Sequence, residues 1–236
     1  PKVLVGAPIC DLYEYCFKEF IENIKNLTYP NYSILLVDNS KQETFFNKIK
    51  SLNINVIRLP YYKKMRARVV ESHNKLREFM LKENFDYLLI LDQDVIPPKN
   101  VIERLISHKK DVISALYFGH HTIVTGENKI MPFAWTFLEK QGYWGTTRYL
   151  TEEEIWGNNL IEIAFSGMGC VLLSKKVLEK IKFRYDESIE AWDDRWLGYD
   201  IHKNGFKFYL NPAFKCKHLY LNRPFNYHEI KKQGLV

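Results

Sequence analysis

Short apolar runs alternate with longer amphipathic segments along the first half of the chain, and this alternation restricts the possible folds more than any other feature. The predicted strands are residues 2–8, 32–37, 54–59, 87–91 and 112–116. The predicted helices between them are residues 13–25, 43–52 and 65–82. Continuous apolar strands that are separated by helices pair in parallel, with helices covering both faces of the sheet. We therefore predict an α/β fold with a mostly parallel central sheet.

The second half of the chain has a different pattern. Aromatic segments interrupted by glycine, such as residues 131–138 and 142–149, replace the regular alternation. This pattern predicts mixed or antiparallel strands. With 236 residues and no obvious linker, the chain is expected to form a single Rossmann-like domain, residues 1–236, with lobes at residues 1–118 and 119–236. No segment is apolar for long enough to span a bilayer.

The net charge and the cysteines indicate which ligands and which redox compartment suit the chain. A net charge of +6 fits a nucleic acid, a membrane surface or a phosphorylated ligand, so a peripheral contact with a membrane stays open. A local basic cluster of Lys63, Lys64, Arg66 and Arg68 falls where a helix should begin. Cations there oppose the helix dipole, and a bound diphosphate would resolve that conflict. The four cysteines form no CxxC pair, which favours a reducing compartment such as the cytoplasm.

The absence of glycine from a long stretch of the first half excludes two classes of nucleotide-binding protein. No glycine occurs between Gly6 and Gly119. The first four strand-to-helix turns therefore cannot form the glycine-rich loops of NAD enzymes or of P-loop NTPases. A nucleotide bound to this sheet would have to be held by a divalent cation on carboxylates and by basic side chains.

Acidic and amide side chains follow the predicted strands at the points where they end. Asp38 and Asn39 follow the second strand, and Asp92, Gln93 and Asp94 follow the fourth. Ligands of open α/β sheets bind at the carboxyl ends of the strands, so these side chains should meet at one edge. With strand alternation, Asp92 and Asp94 would point the same way, and hard carboxylate oxygens favour Mg²⁺ or Mn²⁺.

Five stretches of the sequence resemble inverting glycosyltransferases of the GT-A fold, especially family 2. VGAPICD (5–11) resembles that family's first strand and donor turn, LLVDNS (35–40) its base-binding Asp segment, and LLILDQDVIPP (88–98) its DxD motif. FSGMGCVLLSKKVLEKI (165–181) resembles the acceptor-side glycine segment, and WDDRWLGYDIHKNGFKF (192–208) the catalytic helix. The resemblance implies a nucleotide-sugar-binding lobe at residues 1–118 and an acceptor-binding, catalytic lobe at 119–236.

The resemblance also implies roles for individual residues. Asp38 would bind the nucleobase, Arg66 or Arg68 the base or diphosphate, and Asp92 the ribose. The full set of implied donor contacts is Pro8, Ile9, Asp38, Asn39, Arg66, Arg68, Asp92 and Gln93. Implied metal ligands for Mn²⁺ or Mg²⁺ are Asp92, Asp94 and His218, and implied acceptor contacts are Trp135, Gly167 and Trp192. Asp194, with Asp193 as the alternative, would be the catalytic base. Two departures are Gln93, where a small residue or Asp is commoner, and Asp200, where Arg is usual.

The implied reaction is a single displacement. A carboxylate removes a proton from an acceptor hydroxyl, which attacks the anomeric carbon as the nucleoside diphosphate leaves, and the anomer is inverted. We expect a UDP- or GDP-sugar donor and a glycan, lipid or small-molecule acceptor, with no nucleic-acid partner, in the cytoplasm or at the cytoplasmic face of a membrane.

Two other readings compete with this one. A sugar-phosphate nucleotidyltransferase would share the sheet and the metal-binding acids, but that group has a glycine-rich turn where this chain has Pro8 to Asp11. A non-catalytic nucleic-acid-binding or carbohydrate-binding protein on a degenerate GT-A fold would fit the basic charge. The acids at the strand ends argue against the nucleic-acid reading, because they would repel phosphates unless a cation intervened.

Overall fold

A computed structural model of the chain describes residues 1–122, 125–226 and 229–230. The helices are α1 (Glu14–Lys25), α2 (Glu43–Ser51), α3 (Met65–Lys82), α4 (Val101–Ser107), α5 (Glu152–Trp156), α6 (Lys175–Lys180) and α7 (Asp193–Lys203). The first strands are β1 (Val3–Ile9), β2 (Tyr32–Asp38), β3 (Val56–Arg58), β4 (Tyr87–Leu91), β5 (Val95–Ile96), β6 (Val112–Leu116), β7 (Phe118–Thr122) and β8 (Asn128–Pro132). The later strands are β9 (Ala134–Gln141), β10 (Trp144–Tyr149), β11 (Ile161–Ile163), β12 (Phe165–Ser166), β13 (Cys170–Ser174), β14 (Phe208–Lys215) and β15 (Lys217–His218).

The central sheet confirms the predicted fold class. Its strand order is β11-β14-β6-β13-β4-β1-β2-β3. Strands β3, β2, β1 and β4 pair in parallel, as do β14 and β6. The sheet is mixed because β13 lies antiparallel between β4 and β6, and β11 pairs antiparallel with β14. The second half of the chain therefore contributes strands to the same sheet as the first half.

The alternation of side chains along each strand buries both faces of this sheet. In β1, Val3, Val5 and Ala7 pack on one face, while Leu4 packs on the other. The same split holds for β4, whose Leu89 and Leu91 lie on the first face. Helices α1, α2 and α4 cover the first face, and α3, α6 and α7 cover the second. Burial on both faces is the reason why the strands read as continuous apolar runs.

Smaller antiparallel sheets form the remainder of the second half, as the glycine-interrupted pattern predicts. Strand β9 pairs with β10 and β12, and β7 pairs with β8. A further short pair, β5 with β15, joins the segment after β4 to the chain's late residues. This pair brings His218 beside the Asp92–Asp94 turn, since His218 is aligned with Val95.

The predicted elements agree closely with the observed ones where the periodicity is strong. Helix α3 and strands β4 and β6 have the predicted bounds. Strand β3 is shorter than predicted, because only Val56–Arg58 pair with β2. Among the described helices, none combines the length and the apolar character needed to cross a membrane.

Candidate active site

A cavity of about 820 Å³ opens at the carboxyl edge of the parallel strands. Its wall combines the turns after β1, β2 and β4, the start of α3, the glycine segment before β13, the first residues of α7 and the segment after β15. The predicted site residues that border it are Pro8, Ile9, Asn39, Arg68, Asp92, Gln93, Asp94, Gly167, Trp192, Asp193, Asp194 and His218. Asp38, Arg66 and Trp135 are predicted site residues that the structure places outside this lining.

The acidic triplet forms a turn and does not continue strand β4. The strand ends at Leu91, and the backbone N–H of Val95 donates to the carbonyl of Asp92. Gln93 stabilises this turn: its Oε1 accepts from the backbone N–H of Cys10, and its Nε2 donates to the carbonyl of Tyr13, each at 2.9 Å. The side-chain amide thereby joins the turns after β1 and β4. An amide in the middle of the triplet thus has a structural use that a small residue could not fill.

Asp94 lies in a compact ionic cluster with His218 and Arg223. Its Oδ2 is 2.6 Å from a terminal nitrogen of Arg223 and 3.4 Å from Nε2 of His218. Burial alone would raise the pKa of Asp94, but hydrogen bonds and charges from His218 and Arg223 outweigh it, so the pKa falls below its ordinary value. The carboxylate is therefore held ionised beside a cation.

The donor atoms at this point fit a divalent metal ion. His218 Nδ1 lies 2.7 Å from the carbonyl oxygen of Phe118. A proton on Nδ1 makes that contact a hydrogen bond, and a metal ion could then take the place of the Nε2 proton that faces Asp94, as in metal-binding histidines. Nε2 and Asp94 then present one nitrogen and one carboxylate to the same point. A terminal nitrogen of Arg223 contacts both, at 2.6 Å from Oδ2 of Asp94 and 3.3 Å from Nε2 of His218.

The cluster supplies fewer than three protein ligands as it stands. Within residues 1–122, 125–226 and 229–230, no three His, Cys, Asp or Glu side chains converge into a ready metal site. Asp92 borders the same cavity but makes no side-chain hydrogen bond to a described residue. A cation here would use Asp94 and His218 and would complete its shell with water or ligand oxygens, as Mg²⁺ commonly does.

Two carboxyl groups in the cavity have raised pKa values. Burial and the neighbouring charge of Asp94 raise the pKa of Asp92 to about 6. Burial and the charge of Asp193 raise the pKa of Asp194 to about 7. A carboxylate with a pKa close to the working pH suits a group that accepts a proton. Of the two, Asp194 has the pKa closer to neutral.

Asp193 and Asp194 differ in their partners although they are adjacent in sequence. The Oδ2 of Asp193 lies 2.7 Å from Nδ1 of His73, and both side chains are buried. Asp194 bonds locally, since its Oδ1 accepts from the backbone N–H of Arg195. Both side chains border the cavity, but Asp193 is committed to a buried contact with His73, which favours Asp194 as the base.

Asp38 is fully enclosed at the end of β2. Its Oδ1 accepts hydrogen bonds from the backbone and hydroxyl of Ser40, and its Oδ2 accepts one from Arg58 at 3.3 Å. Burial raises the pKa of Asp38, and these bonds oppose that effect. The neighbouring Asn39 borders the cavity, with its Nδ2 donating to Ser72. The predicted contact of Asp38 with a nucleobase stays a prediction.

The basic cluster at the start of α3 splits into different roles. Arg68 is buried, borders the cavity and donates to the carbonyl of Tyr62 at 3.0 Å. Arg66 turns toward the segment before α7, where it donates to the carbonyls of Ile189 and Ala191. Lys64 forms an ion pair with Glu187. Of these three cations, Arg68 is therefore the one whose side chain borders the cavity.

The glycine segment before β13 is explained by one aromatic ring. A Cβ atom on Gly167 would lie 2.0 Å from the hydroxyl oxygen of Tyr117, and one on Gly169 would lie 2.7 Å from its ring. The backbone N–H of Gly169 donates to the same hydroxyl at 3.1 Å. Glycine is needed here because Tyr117 packs directly against the backbone at the cavity wall.

The predicted acceptor-side tryptophans lie in different surroundings. Trp192 borders the cavity directly before α7. Trp135 stacks on Phe165 with ring centroids 4.5 Å apart and also packs against Tyr149 and His121. Its role in acceptor binding stays a prediction.

Asp200, on α7, stands where the related pattern has arginine. It makes a two-pronged ion pair with Arg184, at 2.7 and 2.9 Å, and the guanidinium of Arg184 lies over the ring of Trp196. Arg184 lies in the loop before α7, so this ion pair joins that loop to the helix that carries Asp194.

Sequence reasoning missed His73, Tyr117 and Arg223. His73 and Arg223 contact the predicted acids across 120 and 129 residues of sequence. Tyr117 directly follows a predicted strand, so its place at the strand end was a usable signal. His73 and Arg223 lack a local signal of that kind.

The overall architecture is shared with solved glycosyltransferase structures. GalNAc-T7, in a structure with UDP, GalNAc and Mn²⁺, is similar with a TM-score of 0.64 and 15% identity over 93% of this chain. The mannosyltransferase PcManGT from Pyrobaculum calidifontis, in complex with GDP-Man and Mn²⁺, has a TM-score of 0.59 and 14% identity over 98% of this chain. S. aureus TarS 1-349, in complex with UDP, has a TM-score of 0.55 and 14% identity over 91% of it.

The chain spans 44%, 61% and 60% of the lengths of those three chains, respectively. At these identities the likeness establishes the GT-A fold. No curated protein sequence matches the chain significantly. The sequence model of glycosyl transferase family 2, however, matches residues 14–182, which is well over half of the chain. On that match, together with the shared fold, this chain belongs to glycosyl transferase family 2.

Proposed function

We propose that this chain transfers a sugar from a nucleoside-diphosphate sugar to an acceptor hydroxyl, with inversion and with the help of a divalent cation. One observation carries the proposal: two groups of side chains with different chemistry border the same cavity. Arg68, Asp94 and His218 can bind a cation and phosphates, while the separate Asp194 has the pKa of a general base. Different residues of one cavity can therefore bind the donor's diphosphate and take the proton from an acceptor hydroxyl.

On the donor side, we infer a UDP- or GDP-sugar. This inference is supported by the UDP and GDP-Man bound in the similar structures. Arg68 supplies a buried positive charge next to the turn after β1, and Asn39 supplies an amide at the end of β2. The planar fork of N–H donors on a guanidinium matches phosphate oxygens, so Arg68 would bind the donor's diphosphate.

A bound Mn²⁺ or Mg²⁺ would supply further positive charge beside the donor's diphosphate. Asp94 and His218 would hold that ion, with Asp92 close by in the same cavity. Arg223 would have to release both side chains first, since its guanidinium contacts both.

On the acceptor side, Asp194 would remove the proton from the attacking hydroxyl. The hydroxyl oxygen then forms a bond to the anomeric carbon as the bond to the diphosphate breaks, so a single displacement inverts the anomer. We infer that the acceptor enters past Trp192 and Gly167, which border the cavity near Asp194.

All four cysteine thiols are free, which supports work in a reducing compartment such as the cytoplasm.

A thermal-shift panel tests the proposal without knowledge of the acceptor. UDP-, GDP-, CDP- and dTDP-sugars are added with and without Mn²⁺, because a ligand that binds the folded state raises the melting temperature. We expect one nucleotide family to raise it, and to do so more strongly with Mn²⁺. No shift with any of the sugars under either condition would contradict the proposal.

A further inference from the structure

His73 is a buried histidine that joins the donor-side helix to the helix carrying the candidate base. It lies on α3, the helix that also carries Arg68 at the cavity. Its Nδ1 is 2.7 Å from the carboxylate of Asp193, the first residue of α7, and neither side chain is more than 5% exposed. A buried carboxylate is tolerated only where a partner compensates for the lost water. His73 is that partner for Asp193.

The first turn of α7 has little other support of this kind. Trp192 occupies the N-cap position, and no side chain caps the helix there. Backbone N–H groups at a helix start need partners, and a missing cap leaves the first turn prone to fraying. Asp194 is the second residue of this turn, so its direction depends on how firmly Asp193 is held.

A second contact from the same helix supports the same segment. Arg66 lies seven positions before His73, which is two turns of α-helix and the same face. It donates to the carbonyls of Ile189 and Ala191, directly before α7. Helix α3 thus contacts both the segment that precedes α7 and the first residue of α7.

We propose that His73 is a positioning residue for the glycosyl-transfer reaction: by holding Asp193, it directs Asp194 into the cavity toward the acceptor. The inference rests on the proposed function, because it assigns Asp194 the role of base. His73 does not itself border the cavity. Its effect therefore passes through Asp193 and should change the chemical step and not the affinity for the donor.

The test compares His73→Leu, which fills the space without a donor, with His73→Asn, whose side-chain amide can donate from near the position of Nδ1. We expect His73→Leu to lower kcat for Mn²⁺-dependent donor turnover by about 10², the cost of misplacing a reacting group by about 1 Å. Donor KM should stay within about twofold, since uniform binding is untouched. His73→Asn should recover most of the lost rate.

Asn74→Ala is the matched control. Asn74 is the next residue on α3, and its side chain makes two hydrogen bonds to the backbone of Phe183, at 2.9 and 3.0 Å. Its loss should destabilise the fold without lowering kcat. A general loss of stability would instead lower the activity of both variants together.

Amide hydrogen exchange provides a readout that needs no activity. In His73→Leu, exchange in residues 189–197 should be faster than in the wild type, while exchange in β4 should be unchanged. Unaltered exchange in residues 189–197, or an unaltered kcat in an active enzyme, would overturn the inference. A wild type that binds no nucleotide sugar would instead overturn the proposed function, and the exchange result would still decide whether His73 holds α7.

Discussion

Arg223 places a terminal guanidinium nitrogen 2.6 Å from the carboxylate of Asp94, at the point where Asp94 and His218 would hold a cation. Its Nε is buried without a hydrogen-bond partner among the described residues. A buried unpaired donor is unfavourable, so this arrangement is only partly satisfied. Arg223 therefore contacts Asp94 at the point where a cation would bind.

Arg223→Gln should increase the affinity of the nucleotide-free protein for Mn²⁺. The substitution removes the charge that competes with the ion for Asp94 and His218. The Kd for Mn²⁺ should fall about tenfold for each 1.4 kcal/mol by which Arg223 opposes binding. Isothermal titration with Mn²⁺ alone measures the effect.

Lys217→Met is the control for a general change in charge. Lys217 is adjacent to His218 in sequence, but it is exposed and pairs with Glu19. Its loss should leave Mn²⁺ affinity nearly unchanged. Equal or weaker Mn²⁺ binding by Arg223→Gln would show that Arg223 does not compete with the ion.

Asp194→Asn should abolish turnover while leaving donor binding intact. A general base contributes about 10² to 10⁴ in rate, so Mn²⁺-dependent release of nucleoside diphosphate should fall by that factor with an unchanged donor Kd. In the wild type, kcat/KM should fall about tenfold per pH unit below pH 7, because the base must be ionised and its pKa is about 7. Glu179→Gln, on an exposed part of α6, should behave as wild type. Full activity in Asp194→Asn would move the role of base to another carboxylate.

The same substitution should stabilise the fold at neutral pH. The folded-state pKa of Asp194 is about 7, whereas an unfolded aspartate has a pKa of about 3.9. The folded state therefore binds the proton more tightly, and wild-type stability from this group is present below pH 4 and is lost as pH rises to 7. The melting temperature of Asp194→Asn minus that of the wild type should grow more positive from pH 4 to pH 8. A difference that is flat or falls over this range would contradict the raised pKa.

Gly167→Ala should destabilise the cavity wall by about 1–3 kcal/mol, the usual cost of overpacking. The added methyl group would meet the hydroxyl of Tyr117 at 2.0 Å. Tyr117→Phe removes that hydroxyl, so the double variant should lose less than the sum of the two single losses. Urea unfolding of the four proteins measures this coupling, and simple additivity would mean that Tyr117 is not the obstacle.

Much of the fold and part of the site could be predicted from the sequence, because they depend on patterns among residues that are close together in the chain. Helix α3 and strand β4 follow from their periodicity, and parallel strands necessarily bring Asn39 and Asp92 to one edge. The direction of a side chain at a strand end is not local. Asp38 turns inward to Ser40 and Arg58, and Gln93 turns to the backbone of Cys10 and Tyr13.

The contacts that organise the site's charges could not be predicted. Asp94 with Arg223, and Asp193 with His73, each join residues more than a hundred positions apart. Neither pair leaves a periodic or spacing signal. The folded chain brings these residues together through β5 with β15 and through the packing of α3 against α7.

Titration of UDP and GDP into the wild type and Asp94→Ala, each with and without Mn²⁺, tests whether a cation held by Asp94 binds the donor's diphosphate. Asp111→Ala, at the opposite edge of the sheet beside Ser174 and Lys176, is the control. We expect Mn²⁺ to tighten binding of one nucleotide to the wild type and to Asp111→Ala, and to have no effect on Asp94→Ala. Mn²⁺-enhanced binding that survives in Asp94→Ala would contradict the account.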